Sequence, residues 1–185
     1  MKRLVLAVGL LLLAGAAHAF DATPARPRIG VLRGPEWFAS FHDTLEAELR
    51  QRGFDVFPVD ASFEELSMDP DRDADWYVEV IPGNAETVDY GGVGVGSRHA
   101  DVTLGIVVSR VGAEASIYRG RTLELIATES LQKKNTALLP TSVGFGGRSL
   151  FAAIALPFVE RAQARSVTRA AARELATRIA EAVRR

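Results

Sequence analysis

Two short segments of this 185-residue chain follow one pattern, Val93-Gly94-Val95-Gly96-Ser97-Arg98 and Val143-Gly144-Phe145-Gly146-Gly147-Arg148. Glycine lets backbone N–H groups approach an anion closely, and arginine adds a planar fork of charged donors. If both segments reach the same end of a sheet, Gly94, Gly96, Arg98, Gly144, Gly146 and Arg148 make one hypothetical site for an anionic group. A nucleotide loop is a poor reading of the first segment. A dinucleotide fingerprint needs a strand before and a helix after it, whereas this run leads into the β-branched stretch Ala100 to Val111, and no lysine stands where a P-loop requires one. The first segment reads as a flexible or bulged β connection and residues 133–149 as a second loop region.

A different kind of chemistry is offered by Arg161, Arg165, Arg169 and Arg173. At 3.6 residues per turn this four-step row occupies one broad helix face, suited to an envelope protein partner, an anionic lipid or a glycan. The complementary charge lies elsewhere: residues 60–89 hold ten acids and one base, Arg72. Within them Asp69, Asp71, Asp73 and Asp75 alternate, as calcium ligands do. Counted from Asp71, however, the calcium-loop glycine position is Trp76 and the closing glutamate position is Pro82. The run reads as a solvated acidic loop, and no metal or cofactor is expected. Of the three histidines, His42 and His99 follow the leader segment. His42 sits beside Asp43 on a helix without a nucleophile elbow, so each reads as an ordinary surface or internally satisfied residue.

The elements that must position these groups follow from periodicity. Arg28 to Arg33 is a buried strand bounded by Gly34-Pro35. Trp37, Phe41, Leu45 and Leu49 then recur every four residues, the stripe of an amphipathic helix that Gly53 ends. Its other face carries Glu46 to Arg50 and Glu48 to Arg52 pairs. Phe54 to Val59 is the second strand, and strand, helix and strand predict a right-handed, parallel βαβ unit. Ser62 to Glu65 has capping-box form. Trp76 to Ile81 is a strand closed by Pro82-Gly83-Asn84, and the β-rich remainder to Leu131 predicts an antiparallel meander with a tight connection at Arg119 to Leu123. From about Phe158 a long helix steps through Val167, Ala171, Leu175, Ile179 and Val183. The fold class is α+β: a mixed sheet opening with a βαβ unit, an antiparallel continuation and a long C-terminal helix packed on the sheet.

Composition bounds the setting. Met1-Lys2-Arg3, the apolar run Leu4 to Leu13 and Ala17-His18-Ala19 have the form of a cleaved secretory signal. Residues 1–19 are therefore expected to be removed, 20–27 to form a flexible arm, and 28–185 a single domain that is periplasmic and soluble, with no transmembrane helix. Loss of Lys2 and Arg3 moves the formal charge from −1 to −3, which excludes a polybasic nucleic-acid protein. The absence of cysteine excludes disulfides, thiolate metal sites, a cysteine nucleophile and a lipidated cysteine.

Three segments together resemble the small α+β domain shared by the N-terminal domain of the Tol–Pal translocation protein, curli-secretion lipoproteins and penicillin-binding-protein activator lipoproteins. They are Arg28 to Leu32, the helix end and strand from Leu45 to Val56, and Ser116 to Ile126 around a short polar turn. The chain departs from the lipoproteins in having no cysteine to lipidate. The resemblance implies a non-enzymatic role in the envelope, binding another protein in assembly or regulation. Two alternatives stand beside it: a small periplasmic hydrolase using carboxylates or His42 and His99, and an anion- or lipid-binding protein with an apolar cavity near Leu150 to Val159.

Overall fold

The computed structural model describes residues 25–96, 100–145, 148–149 and 152–185. The expected signal peptide, Arg98, His99 and Gly146 lie outside the described residues. The chain runs β1 (Arg28–Leu32), a 3-10 turn (Glu36–Phe38), α1 (Ala39–Gln51), β2 (Asp55–Val59), α2 (Phe63–Met68), β3 (Trp76–Gly96), β4 (Ala100–Arg119), β5 (Leu125–Phe145), β6 (Arg148–Ser149) and α3 (Ala152–Arg184). The strands form one sheet in the order β2-β1-β3-β4-β5-β6. β1 is parallel to both β2 and β3, and the later pairs are antiparallel. This is the expected α+β architecture with its βαβ opening.

The apolar stripe of α1 packs onto the sheet. Phe41, Leu45 and Leu49 are fully buried, each contributing about 1.5–3 kcal/mol of transfer free energy. Trp37 does not join them and is 61% exposed. The 3-10 turn rotates the chain before the helix proper, so Phe38 takes the inward place and stacks on Phe41 with ring centroids 4.3 Å apart. Gly53 ends α1 at φ +93°, a conformation that glycine adopts without side-chain strain.

α3 lies on the same face as α1. Its Val167, Ala171, Leu175 and Ile179 are buried against Val111, Ala113, Ala115 and Ile117 of β4 and Leu131 of β5. On the opposite face Leu32, Tyr77 and Leu66 of α2 make a smaller cluster, with the Phe63 ring 4.4 Å from that of Tyr118. The two helical layers thus cover opposite faces: α1 and α3 one side, α2 and the acidic segment after it the other. Among the described residues no helix is long and apolar enough to cross a membrane.

The glycine-rich segments correct the loop reading. β3 continues through the turn signal at Pro82-Gly83-Asn84, absorbing it as a register shift between Pro82 and Ala85, and a second shift falls between Asp89 and Gly92. β3 reaches Gly96, and β5 runs through the expected loop to Phe145. The reason is non-local. β4 has N–H and C=O groups on both edges, and pairing them with β3 and β5 outweighs the low strand preference of glycine and Pro140. α3 also begins earlier than expected, at Ala152.

Candidate functional site

The sheet holds α3 so that Arg161, Arg165, Arg169 and Arg173 are all exposed while Gln163, Val167, Ala171 and Ala172 between them are buried. Arg165, Arg169 and Arg173 border a shallow trough whose floor is Ala162, Ser166 and Ala170. Ser166 and Ala170 also border a hollow toward β5 that is lined by Lys133 and Lys134. Not all of these cations are free. Arg173 donates to Glu48 at 2.9 Å, and Lys133 pairs with Glu174. The two partner carboxyls are held below the usual range, Glu48 first by Arg52 and then Arg173, Glu174 first by Lys133 and then Arg178. Among the described residues Arg161, Arg165 and Arg169 form no ion pair. Three guanidinium groups at helical spacing, beside small residues that leave room around them, can receive a run of anionic groups.

The two glycine segments flank β4 at one end of the sheet: Gly94 pairs with Thr103, and Asp101 sits between Gly96 and Gly144. Their described parts are strands whose backbones pair with β4. Arg148 falls on β6, in register with Phe145.

The acidic segment is partly committed within the chain. Arg28 binds Asp73 at 2.7 Å and Asp55 at 3.3 Å, and its N–H donates to Asp75 at 2.8 Å. Asp60 pairs with Arg33 at 3.2 Å. Glu65 closes the capping box with Ser62, whose backbone and hydroxyl hydrogen bonds hold its carboxyl low. Asp69 accepts the N–H of Asp71 at 2.9 Å, leaving most of its capacity and all of the Asp71 carboxylate facing outward. Two anchoring arginines, with Arg72 tied to the backbone of Leu66, Ser67 and Arg121, explain why so acidic a stretch stays folded.

His42 differs most from its expected ordinary role. It is 4% exposed, and neither Nδ1 nor Nε2 has a hydrogen-bond partner in the protein. A small cavity of about 110 Å³ beside it is lined by Arg33, Gly34, Ala39, Asp43 and Glu46. Burial pushes the imidazole pKa down, against the pull of Glu46 and Asp43, and Arg33 adds to the lowering. Gly34 makes the arrangement possible, since a Cβ there would lie 2.8 Å from His42 Nε2. The sequence signal was the series Phe38, His42, Leu45 and Leu49, which puts His42 on the buried face once Phe38 replaces Trp37 in the stripe. No hydroxyl lines this cavity.

No protein-family model matches the chain, and no curated protein matches it. Solved structures do align with it. They include a minor lipoprotein from Acinetobacter baumannii (14% identity, 86% of this chain and 91% of that one, TM-score 0.44). A neuraminyllactose-binding hemagglutinin homolog from Helicobacter pylori aligns at 11% identity over 85% and 82%, with a TM-score of 0.45. A hypothetical protein from Chlamydia trachomatis aligns at 12% over 86% and 98%, with a TM-score of 0.46. At these values the likeness assigns neither family nor activity.

Proposed function

We propose that this chain is an exported, non-enzymatic binding domain of the cell envelope that docks an acidic protein surface on the outer face of α3. The observation that carries the reading is the set Arg161, Arg165 and Arg169, exposed and without ion pairs on a helix whose other side is locked into the core. A rigid helix presents charge at low entropic cost, which favours recognition. The resemblance to envelope assembly domains and the signal-like residues 1–19 agree with this role. A lipid surface fits less well, because the exposed positions between the arginines are Ala162, Ser166 and Ala170, with no large apolar side chain to insert.

The test is binding of the mature chain to a poly-glutamate probe and, in parallel, to anionic vesicles. Salt-sensitive binding to the probe that weakens in Arg165→Gln/Arg169→Gln supports the reading. Preference for vesicles, or binding indifferent to the two arginines, overturns it. Export is tested by the N-terminus of the protein recovered from an extracytoplasmic fraction, expected at Phe20.

The hydrolase alternative has one observation in its favour, the burial of His42 beside Asp43 and Glu46. Against it, neither ring nitrogen is oriented by a partner, and no hydroxyl lines the cavity from which the imidazole could take a proton. Ester or peptide hydrolysis abolished by His42→Gln would reverse the preference.

A further inference from the structure

The acceptor surface on α3 and the acidic surface around α2 lie on opposite faces of the same sheet. Each has what the other lacks, in shape as well as charge. On the α3 side, small residues floor a trough beside exposed arginines. On the α2 side, Met68 ends the helix 76% exposed, and is followed directly by the outward carboxylates of Asp69 and Asp71. An unbranched thioether side chain adapts its shape to a shallow floor of small residues more readily than a branched one.

Arg161, Arg165 and Arg169 advance by four residues at about 1.5 Å each, so successive guanidinium stems are about 6 Å apart along the helix. Asp69 has extended backbone at φ −77° and ψ 118°. The chain then bends at Pro70, where the Asp71 N–H donates to Asp69 Oδ1, so both carboxylates belong to one turn directly after Met68. Asp73 remains 61% exposed despite its bond to Arg28, and Arg173 continues the arginine row at 64% exposed.

We infer that the acidic surface received by α3 is that of a second copy of this chain, with Met68 seated on Ala162, Ser166 and Ala170 and with Asp69 and Asp71 paired to the arginine row. This rests on the reading of α3 as a docking face and names its partner. The contact is heterologous: each copy presents a different surface to each neighbour, so association continues head to tail until the rotation closes a ring or a filament grows. The pairs are exposed ionic contacts around the single Met68 side chain, so the association weakens with salt.

Sedimentation analysis of the full mature chain at low ionic strength, and again at about 0.5 M salt, is the first measurement. The wild type is expected to form species that grow with concentration and dissociate in salt. Two neutral variants then isolate the two faces, Arg165→Gln/Arg169→Gln and Asp69→Asn/Asp71→Asn. All four positions are exposed, and a thermal melt by circular dichroism establishes that both variants fold. Each variant alone is expected to associate roughly tenfold more weakly, since it has lost one half of every contact. Mixed together, they keep one intact pair of faces and are expected to form a one-to-one dimer that does not grow. Met68→Ser is expected to weaken wild-type association without changing its salt dependence. A wild type that stays monomeric at low salt overturns the proposal, as does association that either variant leaves unchanged or a mixture that forms no dimer. If the proposal fails in this way while Arg165→Gln/Arg169→Gln still loses the poly-glutamate probe, the docking face stands and only its partner is wrong.

Discussion

Replacing His42 by leucine is expected to stabilise this protein and to remove a characteristic pH dependence. The imidazole is 4% exposed, and both of its nitrogens are without protein partners. A buried polar group left unsatisfied costs about 1–3 kcal/mol, and leucine carries no such group into the space beside Phe38 and Phe41. His42→Leu should therefore gain about 1–3 kcal/mol at pH 7.5, less whatever ordered water offsets in the cavity of about 110 Å³. The pH effect follows from the lowered pKa. The unfolded chain takes up a proton near the ordinary histidine value of 6.5, whereas the folded chain resists it because of burial. The native state is then favoured fully above that value and loses stability as pH falls below it, with a limiting slope of about 1.4 kcal/mol per pH unit. The carboxyls held low by partners, Glu48, Glu65 and Glu174, act only near and below their ordinary value of 4.5 and leave the window from 6.5 to 5 to histidine. Urea unfolding at pH 7.5, 6.0 and 5.0 measures both effects. If the variant is less stable at pH 7.5, or loses as much stability as the wild type between 7.5 and 5.0, the account of His42 as an unpartnered buried imidazole is wrong.

Gly34→Ala should destabilise the fold, because its Cβ would sit 2.8 Å from His42 Nε2. The loss should shrink in Gly34→Ala/His42→Ala, with a coupling of about 0.5–3 kcal/mol in a double-mutant cycle; additivity would show that the two residues do not touch. Leu175→Ala removes a fully buried side chain from the contact of α3 with the sheet. It should cost about 2–5 kcal/mol by urea unfolding, and a cost under ~1 kcal/mol would mean that α3 packs loosely. Ser62→Ala deletes the cap of α2 and frees the Glu65 carboxylate. A loss of about 0.5–2 kcal/mol is expected, together with an upward shift of the Glu65 titration measured by NMR.

Local patterns were the readable part of this chain. The α1 stripe, the Ser62 to Glu65 capping box, the parallel βαβ unit and the α3 stripe each follow from residues a few positions apart, whose spacing fixes a face or a hydrogen bond. The errors share a cause in distance along the chain. Gly91 to Gly96 and the segment around Pro140 looked like loops because their own preferences are poor for strands, yet β4 pairs with both. The solvated face expected for α1 is partly covered, because Arg173 crosses 125 residues of sequence to reach Glu48. Half of the candidate surface was legible: the arginine row was visible, but its division into one committed and three uncommitted side chains was not.

What the residues alone determined is the kind of elements, their order and the separation of acidic from basic charge, since propensity, periodicity and composition are properties of neighbouring positions. Tertiary structure decided which arginines stay free, that His42 faces inward without a partner, and that the acidic and basic segments lie on opposite faces of one sheet. Those outcomes depend on which distant groups arrive to compensate a charge or cover a side chain. Burial and ion pairing are set by that arrival, and no local pattern contains it.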